Sequence, residues 1–152
     1  MPLVPKRVSS VIRQLGKKQA ITESFGCSGW NVTFQDLKKI GEWQFVHGID
    51  LMCQHLQGYA LKGLRKRDYP PSLFYQQSWW DDYRTFNDYF ARLSMLLAEG
   101  TRQDDVLLLH PIRTTWVRQC GQDHSAIVPY HESFAQLSRC RSMSPGSNIS
   151  DQ

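Results

Sequence analysis

The stretch QAITESFGCSGW, residues 19–30, decides the fold that the sequence predicts. Its first part, residues 19–23, is too short for a helix and apolar at its centre, as is typical of a buried β-strand. Two glycines punctuate the part that follows and indicate a loop over residues 24–31. We therefore predict a short strand that carries Glu23 at its carboxyl end.

Helical patterns flank this strand. Apolar side chains recur at helical spacing over residues 4–15 and predict a helix that Gly16 ends. Thr33 and Asp36 have the spacing of a capping box, in which each side chain accepts a hydrogen bond from the backbone of the other residue. We predict a second helix that starts there and ends at Gly48.

A second strand and a third helix follow. The short apolar run over residues 49–54 predicts a strand that delivers His55 at its end. Residues 56–78 are predicted to be a loop, and loops longer than about 15 residues inside a compact domain are usually functional. Apolar side chains on one face then predict a long helix over residues 79–98.

The remaining sequence indicates a further α/β unit. The apolar run over residues 105–110 predicts a parallel strand that is covered on both faces. A short helix is predicted over residues 129–140, and the polar, Pro/Gly/Ser-rich residues 142–152 are predicted to be disordered. Strands that alternate with helices favour right-handed βαβ units, a parallel sheet and an α/β fold.

Composition and charge exclude several classes of protein. With 41% hydrophobic and 21% charged residues, the chain has ordinary globular values. Its net charge of +4 comes largely from short basic runs, whereas nucleic-acid binding predicts a broader stripe, so we expect no nucleic-acid partner. No signal peptide or membrane-length apolar run is present, so we expect a cytoplasmic chain without a membrane partner.

The cysteines indicate neither a disulfide framework nor a metal site. The chain has four cysteines and no CxxC pair, which favours reduced thiols. A zinc site could be imagined from Cys27, Cys53 and His55, but this spacing matches no usual ligand set. We therefore expect no metal and no cofactor.

Two polar residues fall at predicted strand ends, where α/β barrels carry their chemistry. Glu23 and His55 should lie on the same face of the predicted sheet. Glycoside hydrolysis needs two carboxylic acids, and Glu23 suits either role; alternatively, it pairs with Lys17 or caps a turn. His55 could bind a substrate hydroxyl or brace the sheet beside Gln54.

The loops on this face carry aromatic and basic residues. Flat aromatic side chains suit the apolar faces of sugar rings, and the candidates for substrate contact are Trp30, Tyr59, Tyr75, Trp79 and Trp80. For Trp79 and Trp80, packing at the start of a helix is an equally good interpretation. Arg65 and Arg67 belong either to a solvated turn or to a substrate-binding loop.

Three segments resemble bacterial glycoside hydrolases of the α-L-rhamnosidase-like type. They are TESFG with the following Gly29-Trp30, the segment from Gly48 to His55, and RKRDYPPS at residues 65–72. The resemblance covers about residues 5 to 135. It implies that Glu23 ends the seventh strand of a barrel, where many barrel glycosidases hold a catalytic carboxylate, and that the eighth strand ends near His55.

The resemblance also implies the domain organisation. Residues 1–100 would be the last two βα units of a partial (β/α)8 barrel, and residues 101–141 the start of a second α/β domain before the tail at residues 142–152. A complete barrel needs roughly 250 residues, and this chain has 152. The partner carboxylate normally lies on the fourth strand, which this chain lacks.

Two functions follow as hypotheses. The first is hydrolysis of an O-glycosidic bond, such as an α-L-rhamnoside, with Glu23 as one catalytic carboxylate. The second is a non-catalytic carbohydrate-binding domain or truncated remnant, since the nearby acids, Asp50, Asp68, Asp81 and Asp82, do not fall at strand ends. In either case we expect a carbohydrate ligand and self-association through exposed barrel edges.

Overall fold

The computed structural model describes residues 3–67, 73–100, 107–118, 125 and 127–140. The chain divides into two compact units. The larger, residues 4–101, is called the strand unit here because it contains both strands, and the smaller comprises residues 1–3 and 102–152.

The strand unit alternates helices with strands. Its elements in chain order are α1 (Leu3–Gln14), β1 (Ile21–Ser24), α2 (Phe34–Val46), β2 (Leu51–Gln54), a 3-10 helix (Gly63–Arg67), a second 3-10 helix (Trp80–Asp82) and α3 (Tyr83–Glu99). The smaller unit contains α4 (Ile112–Arg118) and α5 (Val128–Cys140). No helix within the described ranges is long and apolar enough to cross a membrane.

β1 and β2 form a two-stranded parallel sheet in which Glu23 is opposite Cys53 and Ser24 is opposite Gln54. Helix α2 joins the two strands, so the predicted βαβ connection and the coarse α/β class are confirmed. Both strands start later than predicted. The Ala20 N–H donates to Oδ1 of Asp50 at 2.8 Å, so a side-chain contact precedes the regular ladder.

Both predicted ends of α2 are confirmed. Thr33 and Asp36 form a reciprocal capping box. At the other end, Gly48 has a φ of +92° and its N–H donates to the carbonyl of Phe45, while Ile49 N–H donates to Gln44. These are the two hydrogen bonds of a Schellman motif, in which glycine takes the left-handed position without a steric cost.

Helix α3 packs an aromatic face onto α2 and the sheet. The buried core consists of Phe25, Val32, Leu37, Phe45, Leu73, Tyr83, Phe86 and Phe90. Gly41 in α2 permits the closest approach, because an added Cβ would lie 2.4 Å from Cζ of Phe90 and 2.7 Å from Cε of Met52. The core therefore lies on one face of the sheet and leaves the other face uncovered by these helices.

A polar contact also joins α2 to α3 at the surface. Lys38 Nζ lies 2.7 Å from Oε1 of Glu42, which accepts a hydrogen bond from the Tyr89 hydroxyl. Hydrogen bonding from Lys38, and then from Tyr89, lowers the pKa of Glu42. The bond to Glu42 correspondingly raises the pKa of Tyr89, because ionising the phenol would remove the donor.

The predicted strand at residues 105–110 is wrong for its described part. Residues 107–110 form no regular element, and Leu107 and Leu109 are 81% and 82% exposed. An apolar run becomes a buried strand only where a neighbouring strand pairs with it, and the described sheet contains only β1 and β2. The predicted helix at residues 129–140 is confirmed by α5, whereas residues 105 and 106 and the predicted tail lie outside the described residues.

Candidate active site

The two faces of the sheet have different surroundings. On the helix side, Ser24 Oγ donates to Oε1 of Gln44 in α2 at 2.7 Å, and Gln54 Nε2 donates to Oδ1 of Asn87 in α3 at 2.7 Å. Because side chains alternate along a strand, Glu23 and its register partner Cys53 point to the opposite face. Both are exposed, as is Ile21 at 58%.

The structure brings Glu23 and His55 together, as predicted. His55 Nε2 lies 3.8 Å from Oε1 of Glu23, within ion-pair range when the imidazole is protonated. The backbone fixes this pair, because His55 N–H donates to the carbonyl of Ser24 at 2.6 Å and extends the parallel ladder past the strands. The Glu23 side chain is 66% exposed and that of His55 is 21% exposed, so the carboxylate is open to a ligand.

The loop after β1 contains two non-glycine residues in the left-handed region. Phe25 has a φ of +73° and Cys27 a φ of +60°. Such conformations cost on the order of 1–3 kcal/mol each and cluster at functional sites. Burial of Phe25 against Phe86 offsets part of this cost. Between them, Gly26 lies against His55, since an added Cβ would be 3.4 Å from Cδ2 of the imidazole.

Asp50 lies at the opposite end of the sheet from Glu23. Its Oδ1 accepts the Ala20 N–H, and the carbonyl of Ala20 in turn accepts the N–H groups of Asp50 and Leu51. Three residues of extended strand separate Ala20 from Glu23, which is roughly 10 Å. Asp50 therefore aligns the strands and is too far away for the short carboxylate pair of a retaining glycosidase, about 5–5.5 Å.

Trp30 belongs to a small aromatic group beside the loop after β1. Its ring meets Phe74 edge to face at 6.3 Å, and its carbonyl accepts a hydrogen bond from Nε2 of Gln77 at 3.0 Å. Phe74 is buried and contacts Tyr75 at 4.5 Å. Trp30 and Tyr75 remain 39% and 62% exposed, so both candidates have surface available for a ligand.

Trp79 and Trp80 pack against the core at the start of α3. The indole N–H of Trp79 donates to the carbonyl of Val32 at 3.1 Å, and its ring lies 4.9 Å from Phe34. Trp80 stacks on Tyr83 at 5.6 Å. These contacts give both residues a structural role, which is the packing alternative stated for them above, and their role as substrate-binding residues stays a prediction.

The remaining candidates lie in the segment after β2. Tyr59 is 94% exposed and Arg67 is exposed. Arg65 and Arg67 belong to the 3-10 helix Gly63–Arg67, so the predicted loop contains regular structure. The role of Tyr59, Arg65 and Arg67 in substrate binding stays a prediction.

Cys53, which the sequence suggested only in an imagined zinc site, lies beside Glu23. It is the register partner of Glu23 on the exposed face. The sequence did not place it there, because the register that pairs Ser24 with Gln54 is set by the folded sheet. Among the described residues, no group of three His, Cys, Asp or Glu side chains could hold a metal ion.

No family model and no solved structure matches the chain. It is 30% identical over 109 residues to a protein of Formosa agariphila named "Putative beta-glucuronidase". The match covers 68% of this chain and 9% of that protein, so the chain spans a small part of the relative's length. This similarity supports a glycosidase-like chain at the coarse level and does not extend to the α-L-rhamnosidase type.

Proposed function

We propose that this chain contributes part of a glycoside hydrolase active site in which Glu23 is one catalytic carboxylate. The observation that carries the proposal is the position of Glu23 at the carboxyl end of β1, exposed on the face opposite the helices and 3.8 Å from His55. The left-handed residues in the following loop and the similarity to the Formosa agariphila protein support it.

A carboxylate in this position has two possible chemical roles. It can attack the anomeric carbon or activate water when ionised, or protonate the leaving oxygen when neutral. His55 Nε2 lies 3.8 Å from Oε1 of Glu23, where it can hold the carboxylate in one orientation. We therefore propose that Glu23 acts as the nucleophile or base and that His55 positions it.

The second carboxylate comes from outside the described residues in this proposal. Asp50 is engaged at the other end of the sheet by the Ala20 N–H. The uncovered sheet face, with Ile21, Glu23 and Cys53, is the face that points inwards in a (β/α)8 barrel, where side chains of neighbouring strands fill the interior. We propose that β1 and β2 are the last two strands of such a barrel.

The substrate class is an O-glycoside. The name of the Formosa agariphila protein favours a β-glucuronide, whereas the resemblance to glycoside hydrolases of the α-L-rhamnosidase-like type favours an α-L-rhamnoside. The two differ in the charge at C5, a carboxylate in the first and a methyl group in the second. An assay that includes both aryl glycosides separates them directly.

A non-catalytic carbohydrate-binding function is the second candidate. The exposed rings of Trp30 and Tyr75 favour it, because aromatic surface binds sugars without any catalytic carboxylate. Under this alternative, sugar binding persists in a Glu23→Gln variant and no glycoside is hydrolysed.

Because the proposal takes the second carboxylate from outside the described residues, the test is a turnover assay on a completed barrel, in which this chain replaces the matching segment of the Formosa agariphila protein, with aryl β-D-glucuronide, α-L-rhamnoside and β-D-galactoside. Hydrolysis that falls by about 10²–10⁴-fold in Glu23→Gln supports the enzyme. Glu99→Gln, an exposed acid at the end of α3, is the matched control and should retain full turnover. No hydrolysis together with sugar binding would favour the binding domain, and the absence of both would contradict both candidates.

A further inference from the structure

The aromatic group of Trp30, Phe74 and Tyr75 is assembled from two distant segments of the strand unit. Trp30 ends the loop after β1, and Phe74 and Tyr75 precede the 3-10 helix Trp80–Asp82. Phe74 is buried and contacts both neighbours, at 6.3 Å from Trp30 and 4.5 Å from Tyr75. The buried Phe74 ring therefore anchors the rings of Trp30 and Tyr75, which remain exposed.

A hydrogen bond holds the two segments in register. Nε2 of Gln77 donates to the Trp30 carbonyl at 3.0 Å. Two residues further along, the Trp79 indole donates to the carbonyl of Val32 at 3.1 Å. These two hydrogen bonds tie the loop after β1 to the segment before α3. A ligand that stacks on the exposed rings therefore does not have to order the loops first.

Uncharged polar residues follow both exposed aromatic residues in the sequence. Asn31 follows Trp30 and Gln76 follows Tyr75, and both are exposed. Each amide offers two donors and one acceptor oxygen, which suits vicinal hydroxyl groups. The segments 28–31 and 73–78 contain no charged residue. These two segments therefore provide apolar contact and neutral hydrogen bonds, and neither of them contributes a cation to a carboxylate.

We propose that Trp30 and Tyr75 form a binding subsite for a neutral pyranose ring, separate from the Glu23 carboxylate. This inference rests on the proposed carbohydrate function and adds the charge of the ring that the subsite accepts. The surface area that two rings and two amides can bury is far smaller than the roughly 800 Å² per partner that a stable protein complex buries. A single sugar ring is the occupant that fits this size and this lack of charge.

The charge of the ring follows from the two segments that carry the aromatic group. A uronic acid at the Trp30 subsite would find no cation in segments 28–31 and 73–78 to compensate its carboxylate, whereas a neutral ring needs none.

The experiment is a titration of the full chain with methyl β-D-glucopyranoside and, separately, methyl β-D-glucuronide, followed by indole N–H resonances. The five Trp residues provide five such signals, and the Trp30→Ala spectrum identifies that of Trp30. The neutral glycoside should shift the Trp30 signal saturably and bind at least about fivefold more tightly than the uronide, as expected when the site offers stacking without a cation.

Variants distinguish this subsite from other binding sites. Trp30→Ala and Tyr75→Ala should each weaken binding by about fivefold or more. Trp43→Ala is the matched control, because Trp43 has the same 39% exposure and contacts His47 instead; it should leave binding unchanged. Glu23→Gln should also leave it unchanged, so a failed subsite is distinct from a failed catalytic proposal. Binding that tolerates both aromatic substitutions, or a preference for the uronide, would overturn the inference.

Discussion

Nε2 of His55 lies 3.8 Å from Oε1 of Glu23, although the two residues come from the ends of different strands. The hydrogen bond from His55 N–H to the Ser24 carbonyl produces this proximity, because it continues the parallel ladder one residue beyond the strands. Their juxtaposition therefore depends on strand register, and changes that shift the register should separate them.

Glu23→Gln should affect chemistry and leave stability nearly unchanged. The carboxylate is 66% exposed, and its described contact is an ion pair near the surface, which contributes about 0–1 kcal/mol. In the completed barrel, we expect the kcat on the best aryl glycoside to fall by about 10²–10⁴-fold. Measuring kcat and the melting temperature on one preparation separates the roles: a lower melting temperature with unchanged kcat would make Glu23 structural.

Asp50→Ala should destabilise the strand unit. The substitution removes the acceptor of the Ala20 N–H at the start of the sheet, and an unpaired buried donor costs about 1–3 kcal/mol. Asp88→Ala is the control, because its partner Arg84 is 90% exposed and such a pair contributes little. Urea unfolding of both variants measures the difference. Equal midpoints would show that Asp50 does not align the strands.

Gly48→Ala and Gly63→Ala should differ in their effect on stability. Both glycines have positive φ, so alanine costs on the order of 1 kcal/mol at either position. At Gly48 the new Cβ would also lie 2.7 Å from Cβ of Ser9, whereas at Gly63 it meets nothing within 4 Å. We expect a clearly larger loss of melting temperature for Gly48→Ala. Equal losses would contradict the close approach of α1 to the end of α2.

The contact between α2 and α3 should make stability depend weakly on pH. The pKa of Glu42 is lowered in the folded state by Lys38 and Tyr89. Its contribution is therefore present above the pKa of the unfolded chain and is lost as pH falls through the lower folded value. For this exposed group we expect about 0.5 kcal/mol between pH 7 and strongly acidic pH. Glu42→Gln should remove this component from unfolding curves, and an unchanged pH profile would contradict it.

The uncovered sheet face should cause self-association. Ile21 is 58% exposed on that face, beside two strands that each have an unpaired edge among the described residues. Sedimentation should detect oligomers that Ile21→Asp reduces. Val46→Asp, which adds the same charge at a 70% exposed apolar residue at the end of α2, should reduce them less. A monodisperse wild-type monomer would contradict this expectation.

Local sequence signals predicted both strands and helices α1, α2, α3 and α5, but not α4, the 3-10 helix Gly63–Arg67 or all of the element limits. The capping box of Thr33 and Asp36 and the termination at Gly48 are interactions within a few residues, so they can be recognised from spacing alone. The predicted strand at residues 105–110 was wrong where it is described, at residues 107–110, because an apolar run does not reveal whether a second strand is present to pair with it.

The sequence alone determined that Glu23 and His55 would end two neighbouring strands, because hydrophobic period and segment length are local properties. Only the tertiary structure decided that their side chains are 3.8 Å apart, that Cys53 shares their face and that Trp30 meets Phe74. Those relationships depend on strand register and on packing between distant segments. A shift of one residue in strand register moves every side chain to the other face of the sheet. The spacing of residues in the sequence does not specify this register.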